Sequence, residues 1–195
     1  MFSVNVDKII RMTPKEADNY SKAADTIMAR EDLSGKSLAI VGGGIPSFKL
    51  ASSFMEKGKK VLFIDADLET EVFLGKYKLG KNLTGFTDYI RQTQEAESLI
   101  CVTNREDLDI IFTGNIDGMQ YSQVNRNNVK EMLDYYTSKY DLVIVQSDWN
   151  GNIAGICDAT VVLVEQSEYS EISSEVKVSE LDQAGCYVLG VIIHE

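Results

Sequence analysis

Histidine is almost missing from this chain: His194, next to the last residue, is the only one. A histidine-built metal cluster, or a catalytic triad that needs an imidazole, is therefore not expected, and no metal ligands are assigned. Cysteine is scarce as well. Cys101, Cys157 and Cys186 are odd in number, far apart and without CxxC spacing, which predicts free thiols in a reducing cytoplasm. Positive charge is in short supply: 19 Lys and Arg stand against 30 Asp and Glu, a formal net charge of −11. Such a chain lacks the basic field that holds nucleic acid or an anionic membrane surface, so neither is expected as a partner. No apolar run approaches the roughly 18 residues of a membrane span. The opening MFSVNVDKIIRMT lacks a signal-peptide core. A cytoplasmic location without direct membrane insertion is the expectation.

What the sequence does contain is an alternation of short apolar runs and helical segments. Thr13-Pro14-Lys15-Glu16 reads as a helix start, with a threonine cap, proline in the first turn and glutamate three residues after the cap. That helix is predicted to run to about Arg30. A strand comes next at SLAIV (37–41), then a helix opened by Pro46 that stops at Gly58. Further strands are predicted at 60–68, 108–114, 141–147, 159–165 and 187–193. Helices are predicted near 86–92, over 123–138 and over 171–184, and a polar stretch carries Gly75, Gly80 and Gly85. The strands are continuous apolar runs, not alternating ones, and helices separate most of them. Both features predict an α/β fold, a three-layer, doubly wound parallel sheet of the P-loop NTPase kind. One domain is expected over residues 1–195, with an N-terminal helical segment at 1–35 and the α/β core at 36–195. Ligands of such sheets bind at the carboxyl ends of strands, which puts the loops after Val41, Ile64, Thr113 and Val145 on one rim.

Several stretches, in their order, resemble the cytoplasmic domain of the bacterial tyrosine kinases of the capsule and exopolysaccharide type. More broadly they resemble the MinD/ParA group of deviant P-loop ATPases. GKKVLFIDADL (58–68) is similar to the family's second carboxylate motif, and GFTDYI (85–90) to its Gly-Leu-Ser-Asp-Tyr-Leu segment. LDIIFTG (108–114), YDLVIV (140–145) and QAGCYVLGVII (183–193) resemble its later strands. The resemblance implies ATP and Mg²⁺ as cofactors, and carboxylates at Asp65 and Asp67 that serve the metal and activate the attacking hydroxyl.

Against that background the stretch VGGGIPSFK (41–49) is the point of tension. A P-loop wraps phosphates in backbone N–H groups at a helix N-terminus, adds a lysine and holds Mg²⁺ with Ser or Thr. Starting the GxxxxGK[ST] pattern at Gly43 puts Lys49 at the lysine, but Phe48 then replaces the second glycine and Leu50 the hydroxyl. Keeping the helix in step with 58–65 puts Gly43 at the lysine and leaves the loop short. Gly42, Gly43, Gly44 and Lys49 are the candidate cofactor-binding residues of a degenerate phosphate loop. The same glycines also fit a tight strand-to-helix turn with no ligand. Asp65 and Asp67 are the candidate catalytic residues; an exposed acidic strand end, or a cap for the adjoining helix or turn, is the alternative. The position of the Walker B aspartate reads Gln146, with Ser147, Asp148 and Trp149 after it. A neutral amide supplies no charge to fix a metal, and Asp148, two residues on, is the nearby carboxylate that could substitute.

The family's Glu-x-x-Arg-x-x-Arg ring motif falls on Glu16, Asn19 and Lys22, which weakens that contact, because lysine cannot reproduce an arginine fork. Tyr135 and Tyr136 are expected to pack rather than to be phosphorylated. The leading expectation is a non-catalytic, pseudokinase-like binding module in polysaccharide synthesis or export. It needs no cofactor, unless nucleotide binding is retained. Its implied partner is a membrane-anchored chain-length regulator or a kinase paralogue, with homo-oligomers possible in principle. A divergent ATP-using tyrosine kinase or ATPase stays open. So does a MinD/ParA-like positioning ATPase, although an amphipathic membrane tail and a basic DNA-binding face are not found.

Overall fold

The computed structural model describes residues 3–31, 35–70, 72–73 and 84–195. The elements are β1 (Ser3–Val4), α1 (Pro14–Met28), β2 (Ser37–Val41), α2 (Ile45–Glu56), β3 (Val61–Asp65), α3 (Phe86–Ile90) and β4 (Cys101–Thr103). After them come β5 (Leu108–Ile111), α4 (Arg126–Thr137), β6 (Leu142–Ser147), β7 (Ala159–Glu165), α5 (Glu171–Gln183) and β8 (Val188–His194). The strands form one eight-stranded sheet in the order β1-β4-β5-β3-β6-β2-β7-β8. All pairs are parallel except β4 with β5. That antiparallel pair departs from the all-parallel expectation. The connection at 104–107 is too short for a crossover helix, so the two strands can only fold back as a hairpin. Gly75 and Gly80 lie outside the described residues.

The continuous apolar runs divide their side chains between the two faces of the sheet. Leu38, Ile40, Phe63 and Ile144 meet Tyr20 and Ile27 of α1 and Phe48 and Phe54 of α2. Leu62, Ile64, Val143 and Val145 meet α4 through Val129, Met132, Leu133 and Tyr136. Ala39, Val41 and Val162 meet Leu181 of α5. Phe48, Phe63, Phe73 and Phe112 form a chain of edge-on rings with centroids 5.0 to 5.9 Å apart. The capping box of α1 is formed in full: Glu16 N–H donates to Thr13 Oγ1, and Thr13 N–H to the Glu16 carboxylate. Among the described residues no helix is long and apolar enough to cross a membrane. The three cysteines are free.

Candidate functional site

The carboxyl ends of β2, β3 and β6 lie side by side: Ile40 faces Gln146, Val41 faces Ser147, and Asp65 faces Gln146 across the ladders. From β2 the chain turns into α2 through three glycines with positive φ: Gly42 at 82°, Gly43 at 82° and Gly44 at 49°. The turn is tightly packed as well as left-handed. A Cβ on Gly42 would stand 2.7 Å from the Leu163 carbonyl and 2.9 Å from the Trp149 ring; one on Gly43 would stand 2.3 Å from the Leu163 side chain. Trp149 thus lies over the turn, and Lys177 sits over its ring, 5.7 Å from the centroid.

The helix begins at Ile45, directly after the turn, and this fixes the register. Phe48 is fully buried against Phe63, so it is a core residue and not part of a loop. Lys49 lies in the second helical turn, where its ammonium pairs with Glu16 of α1 at 2.9 Å. The structure therefore does not bring Lys49 together with the glycine turn in the way its register required. Ser47 is the residue both registers missed. Its hydroxyl donates to Gln146 Oε1 at 2.6 Å, in a fully buried contact, and also meets the Gly44 carbonyl. A P-loop hydroxyl and a Walker B carboxylate share a metal in this relation. Here a serine and an amide hold each other. With Ser47 at the hydroxyl position, the position before it, where a P-loop has lysine, is Pro46. A buried polar residue in the first turn of an otherwise apolar helix was the available signal.

Asp65 is buried at 2% exposure, not an exposed strand end. Burial pushes its carboxyl up to about 7, and the charge of Asp67 adds to the rise. The Thr113 hydroxyl opposes it from close by, but makes no hydrogen bond of normal geometry and has no other partner. Asp67 has a local task. Its carboxylate accepts from Glu69 N–H at 2.9 Å and from the Thr70 hydroxyl at 2.7 Å, which caps the turn after β3. Asp148 is engaged in the same way, accepting from the Ser147 hydroxyl, Asn150 N–H, Asn152 N–H and Asn152 Nδ2. Asp148 is thus a loop organiser, with its lone pairs already occupied. Glu69 is raised by desolvation and by the charges of Asp148 and Asp67. Tyr121 donates to neither carboxylate; Leu68 N–H donates to its hydroxyl at 2.9 Å, and burial raises its pKa. The rim is thus rich in acid. Among the described residues no three His, Cys, Asp or Glu side chains are placed to hold a metal.

No protein-family model matches the chain. It is 26% identical over 196 residues to the tyrosine-protein kinase CpsD of Streptococcus pneumoniae serotype 4, an alignment that covers 93% of this chain and 85% of that one. The kinase domain of the Escherichia coli tyrosine kinase ETK superposes with a TM-score of 0.75 at 20% identity, over 99% of this chain and 88% of that one. The chain is a relative of the bacterial tyrosine kinases. Its fold is also that of the septum site-determining protein MinD of Pyrococcus horikoshii, solved with Mg-ADP, at a TM-score of 0.60 and 20% identity over 82% of this chain and 70% of that one. The kinase-like fold puts the glycine turn where P-loop proteins hold phosphate.

Two other kinase-like features have local roles in this chain. Glu16, first of the residues at the ring motif, is used within the chain by the α1 cap and by Lys49. Lys22 pairs with Asp18 at 2.6 Å on the surface of α1. Tyr136 is fully buried with its hydroxyl on the Ala96 carbonyl, and its ring is 5.2 Å from that of half-buried Tyr135.

Proposed function

We propose that this chain is a non-catalytic relative of the bacterial tyrosine kinases: a pseudokinase-like binding and regulatory module in capsular or exopolysaccharide biosynthesis. The observation that carries the reading is the buried Ser47–Gln146 hydrogen bond. It fills the place where a metal would join a hydroxyl to a carboxylate. On this reading the residues present do not fit a magnesium-bound triphosphate. Pro46 offers neither a cation nor an N–H at the lysine position, and Asp67 and Asp148 are committed to their own turns. Phosphoryl transfer depends almost wholly on positioned positive charge, and the acidic rim provides the opposite field. The partner is a membrane-anchored chain-length regulator with a basic cytoplasmic segment, or an active kinase paralogue. Either would hold the module at the inner face of the membrane. The net charge of −11 steers the chain toward such basic segments.

The reading is tested by incubating the purified chain with γ-labelled ATP and Mg²⁺. We expect no phosphotyrosine and no phosphate release above a protein-free blank. A second reading, a divergent ATP-using kinase or ATPase, is favoured by one observation: Asp65, at about 7, is tuned to accept a proton near neutral pH. It predicts measurable turnover that Asp65→Asn abolishes.

A further inference from the structure

The sheet ends in β8, which among the described residues is paired only on its β7 side. The His194 carbonyl accepts from Gln166 N–H, on that side. Backbone groups of a parallel strand change sides from one residue to the next, so Gly190, Ile192 and His194 serve the β7 ladder. Val191 and Ile193 therefore turn their N–H and C=O groups outward. Before them the strand bulges, with Val188 opposite Thr160 and Gly190 opposite Val161, and the Leu189 carbonyl accepts from the Arg30 guanidinium at 3.4 Å. The open part of the edge is GVIIH (190–194), an apolar stretch without the lysine or proline that commonly shields an edge strand.

Each face of this edge carries a groove. On the α1 side a groove of about 350 Å³ is lined by Ala23, Thr26, Ile27, Arg30, Leu189 and Ile192. On the α5 side a groove of about 400 Å³ is lined by Tyr169, Glu171, Glu175, Val178, Asp182 and Val191. A strand laid against β8 sends alternate side chains into the two grooves. The first is apolar apart from Arg30; the second holds three carboxylates. We propose that β8 is a docking edge for an extended segment of another protein whose residues alternate between apolar and basic. The apolar side chains enter the α1 groove, and lysines or arginines meet Glu171, Glu175 and Asp182. A second copy of this chain fits less well. Two antiparallel β8 strands would bring both sets of these carboxylates onto one face, between bodies that each carry −11. The edge does not touch the glycine turn, so this inference stands whether or not nucleotide binds.

The test uses the fluorescein-labelled heptapeptide VKVKVKV and its counterpart VEVEVEV, read by fluorescence anisotropy and by amide hydrogen exchange of the full chain. Saturable binding of VKVKVKV is expected, with new protection at the Val191 and Ile193 amides and weak or no binding of VEVEVEV. Ile193→Pro removes one outward N–H and leaves the β7 ladder intact, so it keeps the wild-type melting temperature and loses roughly tenfold or more in affinity. Glu175→Lys weakens VKVKVKV binding as well. Lack of saturable binding, equal binding of the two peptides, protection elsewhere, or an unaffected Ile193→Pro variant overturns the proposal. So does self-association of the free chain, by sedimentation, that Ile193→Pro abolishes, since it gives the edge to a second copy.

Discussion

At the scale of single residues, Asp65 and Ser47 define the site. The Asp65 carboxyl is raised from 3.8 to about 7, chiefly by burial. A raised acid contributes stability that is fully present below its unfolded value, near 4, and is lost as pH rises through about 7. Between pH 6 and pH 8 the chain should therefore lose roughly 1 kcal/mol. Asp65→Asn should flatten that slope and raise the melting temperature at pH 8, as thermal denaturation across the window would measure. Ser47→Ala strands the buried Gln146 amide and should cost about 1–3 kcal/mol in urea denaturation. If both residues instead served a bound metal, the apo protein would tolerate Ser47→Ala, and the Asp65 slope would shift on adding Mg²⁺. Little of this pairing was legible in the sequence. Gln146 was visible as a missing aspartate, but its partner was not, because the P-loop pattern turns on a lysine, and the serine after Pro46 has none before it. Asp65 and Asp67 read as an alike pair two residues apart. Strand alternation buries the first, while the second leaves the sheet and caps the next turn.

At the scale of elements, the sequence was most informative where local signals coincide. The α1 start was legible because Thr13, Pro14 and Glu16 each satisfy a different requirement of a helix N-terminus. Thr13→Ala should cost about 1 kcal/mol. Glu16 is pulled down to about 2 by the Thr13 N–H and by Lys49, so its contribution is present above pH 4.5 and lost as pH falls toward 2. The stability difference between wild type and Glu16→Gln should shrink over that acid range, a trend urea titrations at stepped pH would reveal. The β4 hairpin was not legible, since three residues carry too little periodicity to register. The outer stripe of α5 is another exception to amphipathic expectation. Ile172 is 77% exposed and Val176 54%, on a helix that buries only Leu181. Ile172→Ser should change stability by no more than about 0.5 kcal/mol, measured by the same denaturation.

At the scale of the whole molecule, continuous apolar strands separated by helices were enough to give the layered sheet and the rim on which the loops gather. Whether that rim holds a ligand depends on distances the sequence does not carry. Leu163 and Trp149, far apart in sequence, close over Gly42 and Gly43. Asp148 is tied by four donors that only the folded loop brings together. The same kinase-like frame that would present phosphate to positive charge presents it here to Asp65, Asp67, Glu69 and Asp148. The central claim is that this glycine turn no longer encloses a triphosphate, and the most direct measurement is a calorimetric titration of the chain with ATP and with ADP in the presence of Mg²⁺. We expect no binding heat at high protein concentration; saturable binding in the micromolar range, lost on adding EDTA, contradicts it.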